Sequence, residues 1–294
     1  MRLIPKRRRG ELHPVIRHGL LLTWLLIAVF PLFWVFATSL KPPQDWSGWP
    51  VVWWPEEPTL FNYIQVWMND LVTGAGAPMG ETEVIGPWGA LINTFIIAII
   101  SSTIATALGA VIAYGASRYR ILTDSQVLYF LMLRMIPPFV VAAPVFLWFS
   151  ALGIEDTLIG LIMLYTLITV PYAILVMKSF VDDLPHEFEQ AAEILGAGRW
   201  RVIWEIVLPL MRPGLAATFL FLLILNWSEY YFALILSKTD VSTLPVHLNR
   251  FAGNSAPHGF QAALSVGATL PLLAIGLLIR KHLVRGLSFG FVRR

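Results

Sequence analysis

The sequence predicts an all-α integral membrane protein with six transmembrane helices and both termini in the cytoplasm. Two features of composition support this fold class: 57% of the 294 residues are hydrophobic and only 13% are charged, about half the charged fraction of a typical soluble domain. The third observation is a set of six apolar segments, each long enough to cross a hydrocarbon core about 30 Å thick as a helix. This composition excludes an ordinary soluble enzyme.

The six predicted spans make up a transmembrane domain that covers residues 20–279. They are residues 20–40, 89–114, 126–150, 157–177, 214–237 and 261–279. Four spans contain no formal charge, whereas the third contains Arg134 and the fifth contains Glu229. Pro137, Pro138 and Pro144 interrupt the third span, and we expect them to kink it because proline removes a backbone donor.

Residues 1–19 form a basic segment in front of the first span. Its run of four positive charges, residues 6–9, is typical of a topology signal, because Lys and Arg are retained on the cytoplasmic side. Such a run could also bind nucleic acid. Its position beside an apolar span favours the lipid bilayer as its partner, so we expect no nucleic-acid partner. The apolar run is about 20 residues long and no A-x-A cleavage site follows it, so we expect it to remain as the first helix.

The distribution of positive charge predicts the orientation. With the N-terminus inside, 17 of the 21 Lys and Arg residues fall in segments that face the cytoplasm, including the basic tail at residues 280–294. Acidic residues divide almost evenly between the two sides, so the bias is specific to positive charge, as the rule requires.

Residues 41–88 form the long extracytoplasmic connection. They contain seven of the 20 prolines and six of the 12 tryptophans. Four of these tryptophans are expected at the outer membrane interface, where the apolar ring of an indole can contact lipid while its N–H can form a hydrogen bond. They are Trp46, Trp49, Trp53 and Trp54. The same aromatic cluster could instead stack on a sugar ring. Later in this connection, residues 74–86 are expected to form a flexible loop.

Residues 182–212 form a patterned polar loop between the fourth and fifth spans. Phe188, Ala191, Ala192 and Leu195 are spaced as the apolar stripe of a short amphipathic helix, and Gly196 is placed to end that helix in a left-handed conformation. A second stripe runs from Trp200 to Val207, and Pro209 is expected to stop it. Helices this short are marginal alone in water, so we expect a docked partner to cover the stripes.

The loop resembles the EAA loop of bacterial ABC importer permeases. The residues that match this motif are Ala191, Ala192, Gly196, Ile206, Leu208 and Pro209. The family usually has Glu before the alanine pair, whereas this chain has Gln190 there and Glu189 one position earlier. The segments NWSEYYFALIL, TLPVHLNRF, RKHLVRGLSFGFV and RMIPP are also similar to the carbohydrate-uptake branch of that family, of which maltose permeases are the best known.

This resemblance implies a permease subunit of an ATP-driven importer for a sugar, oligosaccharide or polyol in the bacterial cytoplasmic (inner) membrane. By the same resemblance, we expect the chain to form half of the translocation pathway and to work by alternating access. The expected partners are a second permease subunit, two ATPase subunits and an extracytoplasmic substrate-binding protein. Glu189, Gln190 and the six motif residues are the implied ATPase-coupling residues on a coupling helix. The sequence contains no G-x-x-x-x-G-K-[ST] loop, so the chain is expected to bind no cofactor, with ATP and Mg on the partner ATPase.

A sugar needs amides, carboxylates and aromatic rings along its pathway. The candidates for the substrate pathway are Arg134, Asn226, Trp227, Glu229, Tyr230 and Tyr231. Arg134 and Glu229 could equally form an intramembrane ion pair that fixes helix packing.

Two rival functions follow from other readings of the same residues. A membrane-embedded hydrolase would need a catalytic pair or a metal cluster at membrane depth. All six histidines and every Asp lie outside the predicted spans, so no catalytic residue and no metal site are predicted, and the protein is not expected to be an enzyme. An ion-coupled secondary carrier could use Arg134 and Glu229, but the EAA loop has no role in a self-sufficient carrier.

Overall fold

The computed structural model describes residues 13–46, 49–68, 86–133, 135–238, 240–249 and 257–291. Within these residues the chain forms helices and turns and no strand. The helices are α1 (Pro14–Ser39), α2 (Phe61–Trp67), α3 (Pro87–Tyr119), α4 (Asp124–Leu133), α5 (Pro138–Ala151), α6 (Leu158–Asp182), α7 (Glu187–Ile194), α8 (Arg199–Val202), α9 (Leu208–Trp227), α10 (Tyr231–Leu236), α11 (Leu244–Asn249) and α12 (His258–Phe291). Arg134 and the predicted flexible loop, apart from Gly86, lie outside the described residues.

Five helical segments of the described chain are long and apolar enough to cross a membrane. They are Val15–Ser39, Pro87–Tyr119, Leu158–Asp182, Arg199–Trp227 and His258–Leu278. The pair α4 and α5 makes a sixth span if the two bent helices are counted together. The all-α, multi-pass fold predicted from composition is therefore confirmed.

The third predicted span, residues 126–150, is not one helix. It is divided into α4 and α5, which point in different directions on either side of the break. Pro138 occupies the first turn of α5, where its missing N–H costs no helical hydrogen bond. Pro137, just before it, has the extended ψ of 133°, because a residue that precedes proline is disfavoured in the helical region. The two adjacent prolines therefore start a new helix and do not merely kink an existing one.

The fifth predicted span, residues 214–237, is also wrong at both ends. The helix extends from Arg199 to Trp227 because Ile203–Val207 forms a π-helical turn that joins α8 to α9. The N–H of Leu208 donates to the carbonyl of Ile203, five residues earlier, and the wider turn accommodates the ring of Pro209. Pro209 therefore does not stop the second short helix, which is the first part of a membrane helix.

The chain divides into two compact units. The first contains residues 1–69 and 251–266, with α1, α2 and the first turns of α12. Here Asn62 Nδ2 donates to the carbonyls of Ser39 at 2.9 Å and Lys41 at 2.8 Å. Among the predicted interface tryptophans, Trp53 packs edge-on against Trp34 of α1 with ring centroids 5.5 Å apart. Their location at the membrane surface stays a prediction.

The second unit contains residues 70–250 and 267–294 and is built on α3, α6 and α9. Gly109 of α3 lies so close to α6 that a Cβ there would be 2.4 Å from the Cβ of Ala173. A Cβ on Gly214 of α9 would likewise lie 2.6 Å from Cγ of the Phe180 ring on α6. Small residues at these crossings let the helix backbones approach closely, so the three helices pack tightly together.

Candidate functional site

The segment that joins α6 to α9 forms two short helical pieces with a sharp turn between them, and we call it the coupling loop (residues 182–212). Its helix α7 has two carboxylates, Glu187 and Glu189, in the first turn, where the helix dipole favours negative charge. Gly196 ends the helix with φ of +84°. The N–H of Gly196 donates to the carbonyl of Glu193 at 2.9 Å, and the N–H of Ala197 donates to the carbonyl of Ala192 at 3.0 Å. This is the Schellman arrangement, and it confirms the left-handed termination predicted at Gly196.

One side of the coupling loop packs on the helix bundle. Ala192, Val202 and Val207 are buried in a cluster with residues of α3 and α6, including Ala113 and Met177. The motif residue Ile206 is partly buried against the same cluster, and Leu208 and Pro209 are partly buried at the start of α9. The small side chain of Ala192 therefore permits close approach to the bundle of this chain itself. The expectation that the whole stripe from Phe188 to Leu195 faces a partner is wrong for Ala192.

The other side of the loop is a free apolar surface. It consists of five large side chains that are each more than half exposed, and we call it the exposed loop surface: Phe188, Ile194, Leu195, Trp200 and Trp204. Leu195 is 87% exposed and Ile194 is 86% exposed, while Gln190 and Ala191 of the motif are exposed beside them. Exposed large apolar side chains that cluster in one short segment are typical of a site of protein interaction.

Glu189 links the coupling loop to α3. Arg118 Nε donates to Glu189 Oε1 at 2.7 Å, and Tyr114 Oη donates to Glu189 Oε2 at 2.8 Å. Only 5% of the Arg118 side chain and 13% of the Glu189 side chain are exposed. The carboxylate predicted to contact an ATPase thus has two partners within its own bundle.

The same guanidinium holds the chain just before α7. Arg118 Nη1 donates to His186 Nε2 at 3.0 Å, and Arg118 Nη2 donates to the carbonyl of Leu184 at 2.9 Å. Sequence reasoning missed Arg118 and Tyr114. The available signal was their spacing of four residues, which places both on one face of α3, although that spacing does not identify their partner.

A second charged cluster ties three helices together near the coupling loop. Lys178 Nζ of α6 lies 3.0 Å from Asp124 Oδ1 of α4 and 2.7 Å from Asp182 Oδ2. Ser117 of α3 donates a hydrogen bond to Asp182. The ends of α3, α4 and α6 are therefore cross-linked at the point where the loop begins.

Two of the predicted substrate-pathway residues lie inside the bundle. Asn226 of α9 is buried, and its Nδ2 donates to Ser101 Oγ at 3.0 Å and to Ser102 Oγ at 2.9 Å, both on α3. Trp227 is buried in a cluster that includes Leu223. The Asn226 amide thus makes an interhelical contact of the kind that holds membrane helices together.

The other described candidates lie at the break between α9 and α10. Glu229 Oε1 accepts from the N–H of Phe232 at 3.0 Å, and its Oε2 accepts from the N–H of Ala233 at 3.2 Å. Tyr230 Oη accepts from Asn249 Nδ2 at 2.7 Å, and Tyr231 is the first residue of α10. The Glu229 carboxylate therefore caps α10 and lies after the spanning helix, whereas the sequence placed it within that helix. Its predicted partner Arg134 lies outside the described residues.

No group of three His, Asp or Glu side chains is arranged to hold a metal ion in the part of the chain that the structure describes.

Comparison with known proteins relates the fold to function. A sequence model for the family described as binding-protein-dependent transport system inner membrane component matches residues 105–289. The chain is 30% identical over 275 residues to the trehalose transport system permease protein SugB of Mycobacterium tuberculosis, which covers 90% of this chain and 93% of that protein. It is 29% identical to the trehalose/maltose transport system permease protein MalG of Thermococcus litoralis, over 91% of this chain and 92% of that protein.

Among solved structures, the chain is similar to one from a bacterial ABC transporter involved in the import of the acidic polysaccharide alginate. The TM-score is 0.69 at 19% sequence identity, and the match covers 95% of this chain and all of that chain. The similarity therefore extends over nearly the whole fold.

Proposed function

The chain belongs to the family of binding-protein-dependent transport system inner membrane components, and on that premise we propose that it is the permease subunit of an ATP-driven sugar importer. Members of this family are transport permeases and not enzymes, and the chain is a multi-pass protein of the cytoplasmic membrane. The observation that carries the proposal is the coupling loop, which is anchored on its inner side and presents five large apolar side chains on its outer side.

The proposed substrate is a sugar, oligosaccharide or polyol. Relatives that match along 90% or more of this chain are named for transport of trehalose and of trehalose/maltose. A third relative, the diacetylchitobiose uptake permease NgcG of Streptomyces coelicolor, is 27% identical over 95% of this chain and 88% of that protein. These three names agree on a carbohydrate substrate and differ in the sugar.

The proposed orientation places both termini and the coupling loop in the cytoplasm, and residues 41–88 outside. The described basic residues around the coupling loop support this choice. They are Arg118, Arg120, Lys178, Arg199, Arg201 and Arg212. Positive charges concentrate on the cytoplasmic side of membrane proteins.

The exposed loop surface is the proposed docking site for an ATPase subunit. It is apolar, yet it belongs to a loop with too many charges to enter lipid, so a protein partner is the cover that removes it from water. The full complex would contain two ATPase subunits, a second permease and an extracytoplasmic binding protein. ATP and Mg would bind to the ATPase subunits, and this chain would bind no cofactor.

Movement of the docked ATPase would reach the membrane along two direct routes. The loop continues from α6 at its start, and it continues into the single helix from Arg199 to Trp227 at its end. This helix includes Trp200 and Trp204 of the docking surface together with a membrane span, so a displacement of the surface would pass along it, as alternating access between two arrangements requires.

The substrate pathway is proposed to run past the break between α9 and α10. Tyr230, Tyr231 and Glu229 offer rings and oxygens there, and Arg134 stays a candidate. Asn226 and Trp227 are proposed to support the pathway by packing, because both are buried between helices.

The function is tested with a Leu195→Glu variant produced together with its partner subunits. We expect this charge to release the ATPase and to abolish ATP-dependent uptake of labelled trehalose, maltose and diacetylchitobiose, because it is placed in the centre of an apolar contact. Met68→Glu is the matched control, since Met68 is 78% exposed and follows α2 in the loop proposed to lie outside. Normal uptake by Leu195→Glu would contradict the proposal, and uptake driven by an ion gradient without ATPase would favour a secondary carrier.

A further inference from the structure

We propose that Arg118 is a positioning residue that transmits movement of the coupling loop to α3. The inference rests on the proposed function and extends it, because α3 has no direct chain connection to the loop. We call the set Tyr114, Arg118, His186 and Glu189 the Arg118 latch.

The latch fixes the loop in more than one direction. Arg118 uses three different nitrogens for three acceptors: the Glu189 carboxylate, the His186 ring and the Leu184 carbonyl. These acceptors span the turn before α7 and its first turn. A guanidinium is planar and rigid, so three bonds from one such group resist both sliding and rotation of the loop relative to α3.

Tyr114 adds a second point of attachment one helical turn earlier on α3. It donates to one carboxylate oxygen of Glu189 while Arg118 donates to the other. With both oxygens held from one helix face, the side chain of Glu189 cannot swing without breaking a bond. The start of α7 therefore has a fixed direction relative to α3.

The helix that receives the latch is well placed to pass movement on. Gly109 of α3 lies in backbone contact range of Ala173 on α6, and Asn226 of α9 bonds to Ser101 and Ser102 of α3. The apolar contact of Ala192 with the bundle holds the loop against α3 and α6 but gives little directional constraint, since apolar contacts are not directional. The latch supplies the directional link.

Stability alone does not account for this arrangement. The pair is nearly buried, and taking two charges out of water offsets much of their attraction, so an apolar pair of similar volume is often as stable. Adjacent Gln190 is exposed, so the loop turns a neutral amide outward and a carboxylate inward. A directional role explains why the charged group lies on the inner side.

The test compares coupling with assembly in the complete complex reconstituted in vesicles. The variants are Arg118→Met, the apolar pair Arg118→Met with Glu189→Leu, and the exchanged pair Arg118→Glu with Glu189→Arg. The control is Glu205→Gln, which breaks the Arg201–Glu205 pair of the same loop, whose side chains are 69% and 61% exposed. ATPase retention, ATP hydrolysis and uptake of labelled trehalose and maltose are measured on each sample.

We expect the apolar pair to keep the ATPase and to hydrolyse ATP within about two-fold of the wild type, while uptake falls about ten-fold, since hydrogen bonds to charged groups are worth that factor or more. The ATP hydrolysed per sugar imported then rises about five-fold or more. The exchanged pair is expected to restore part of the uptake, and Glu205→Gln to behave as the wild type, because exposed pairs contribute little.

Unchanged uptake in the apolar pair would overturn the inference. A parallel fall of ATPase retention, hydrolysis and uptake in the apolar pair would also overturn it, because that pattern indicates a structural role. A wild-type complex that contains no ATPase would contradict the proposed function itself.

Discussion

The guanidinium of Arg118 and the carboxylate of Glu189 lie 2.7 Å apart although 71 positions separate them in the sequence. This pair joins the end of α3 to the first turn of α7 in the coupling loop. The start of α7 has two distinct sides, because Glu189 and Ala192 contact the bundle whereas Phe188 is exposed. The inner side packs on the helix bundle, and the outer side is exposed.

Gly196 is the position where the backbone of the coupling loop requires glycine. Its φ is +84°, and a Cβ there would meet nothing within 4 Å, so the cost of Gly196→Ala is conformational and not steric. We expect about 1 kcal/mol of local destabilisation, seen as faster amide exchange at Gly196 and Ala197 and as reduced uptake. Gly198→Ala is the control, because Gly198 also has open space around it but has φ of −67°. Equal effects at the two positions would contradict the left-handed turn.

Gly109 lies at a close contact between α3 and α6. A methyl group there would lie 2.4 Å from the Cβ of Ala173 and 2.8 Å from its carbonyl carbon, so Gly109→Ala must push the two helices apart. We expect a loss of about 1–3 kcal/mol, the usual cost of overpacking, measured as a lower thermal midpoint of the purified protein in detergent. Gly276→Ala in α12 is the control, since a Cβ there meets nothing within 4 Å. A midpoint for Gly109→Ala equal to that of the control would show that the helices are not in contact there.

Glu229 caps α10 through the N–H groups of Phe232 and Ala233. We expect Glu229→Ala to destabilise this short helix by about 1 kcal/mol, as loss of a helix cap does, with faster amide exchange at both residues. Glu229→Gln keeps one acceptor oxygen and should have a smaller effect on exchange. If Glu229 also contacts the substrate, Glu229→Gln changes the KM for uptake more than it changes exchange. Unaltered exchange in Glu229→Ala would contradict the capping role, and an unaltered KM in Glu229→Gln would remove this residue from the pathway.

The sequence predicted the helices well where one physical effect decides. An uncharged apolar run of 20 or more residues has few alternatives to a membrane helix, and Gly196 ends α7 as its position indicated. The positions where helices break were predicted poorly, because the effect of a proline on a helix depends on the backbone conformation of the turn before it. A π-helical turn accommodates Pro209, whereas the adjacent Pro137 and Pro138 separate two helices.

The site was predicted only in part, and for a related reason. Helical spacing shows which residues share a face but not what that face contacts. Ala192 was therefore expected to face a partner, whereas it is buried against the bundle of its own chain. Arg118 and Tyr114 belong to a distant helix, and no local pattern connects them to Glu189. Glu229 was assigned to membrane depth, although α9 ends before it, at Trp227. That end is set by tertiary structure, so the local sequence did not reveal it.

The proposed docking of an ATPase subunit is tested by identifying the protein that lies on the exposed loop surface. The chain has no cysteine, so Leu195→Cys carries a single thiol that can be labelled with a photoactivated cross-linker in the intact complex. Met68→Cys, labelled in the same way, is the control. We expect the label at Leu195 to cross-link to the ATPase subunit and the label at Met68 not to do so. Cross-linking of the Leu195 label only within its own chain would contradict the proposed docking.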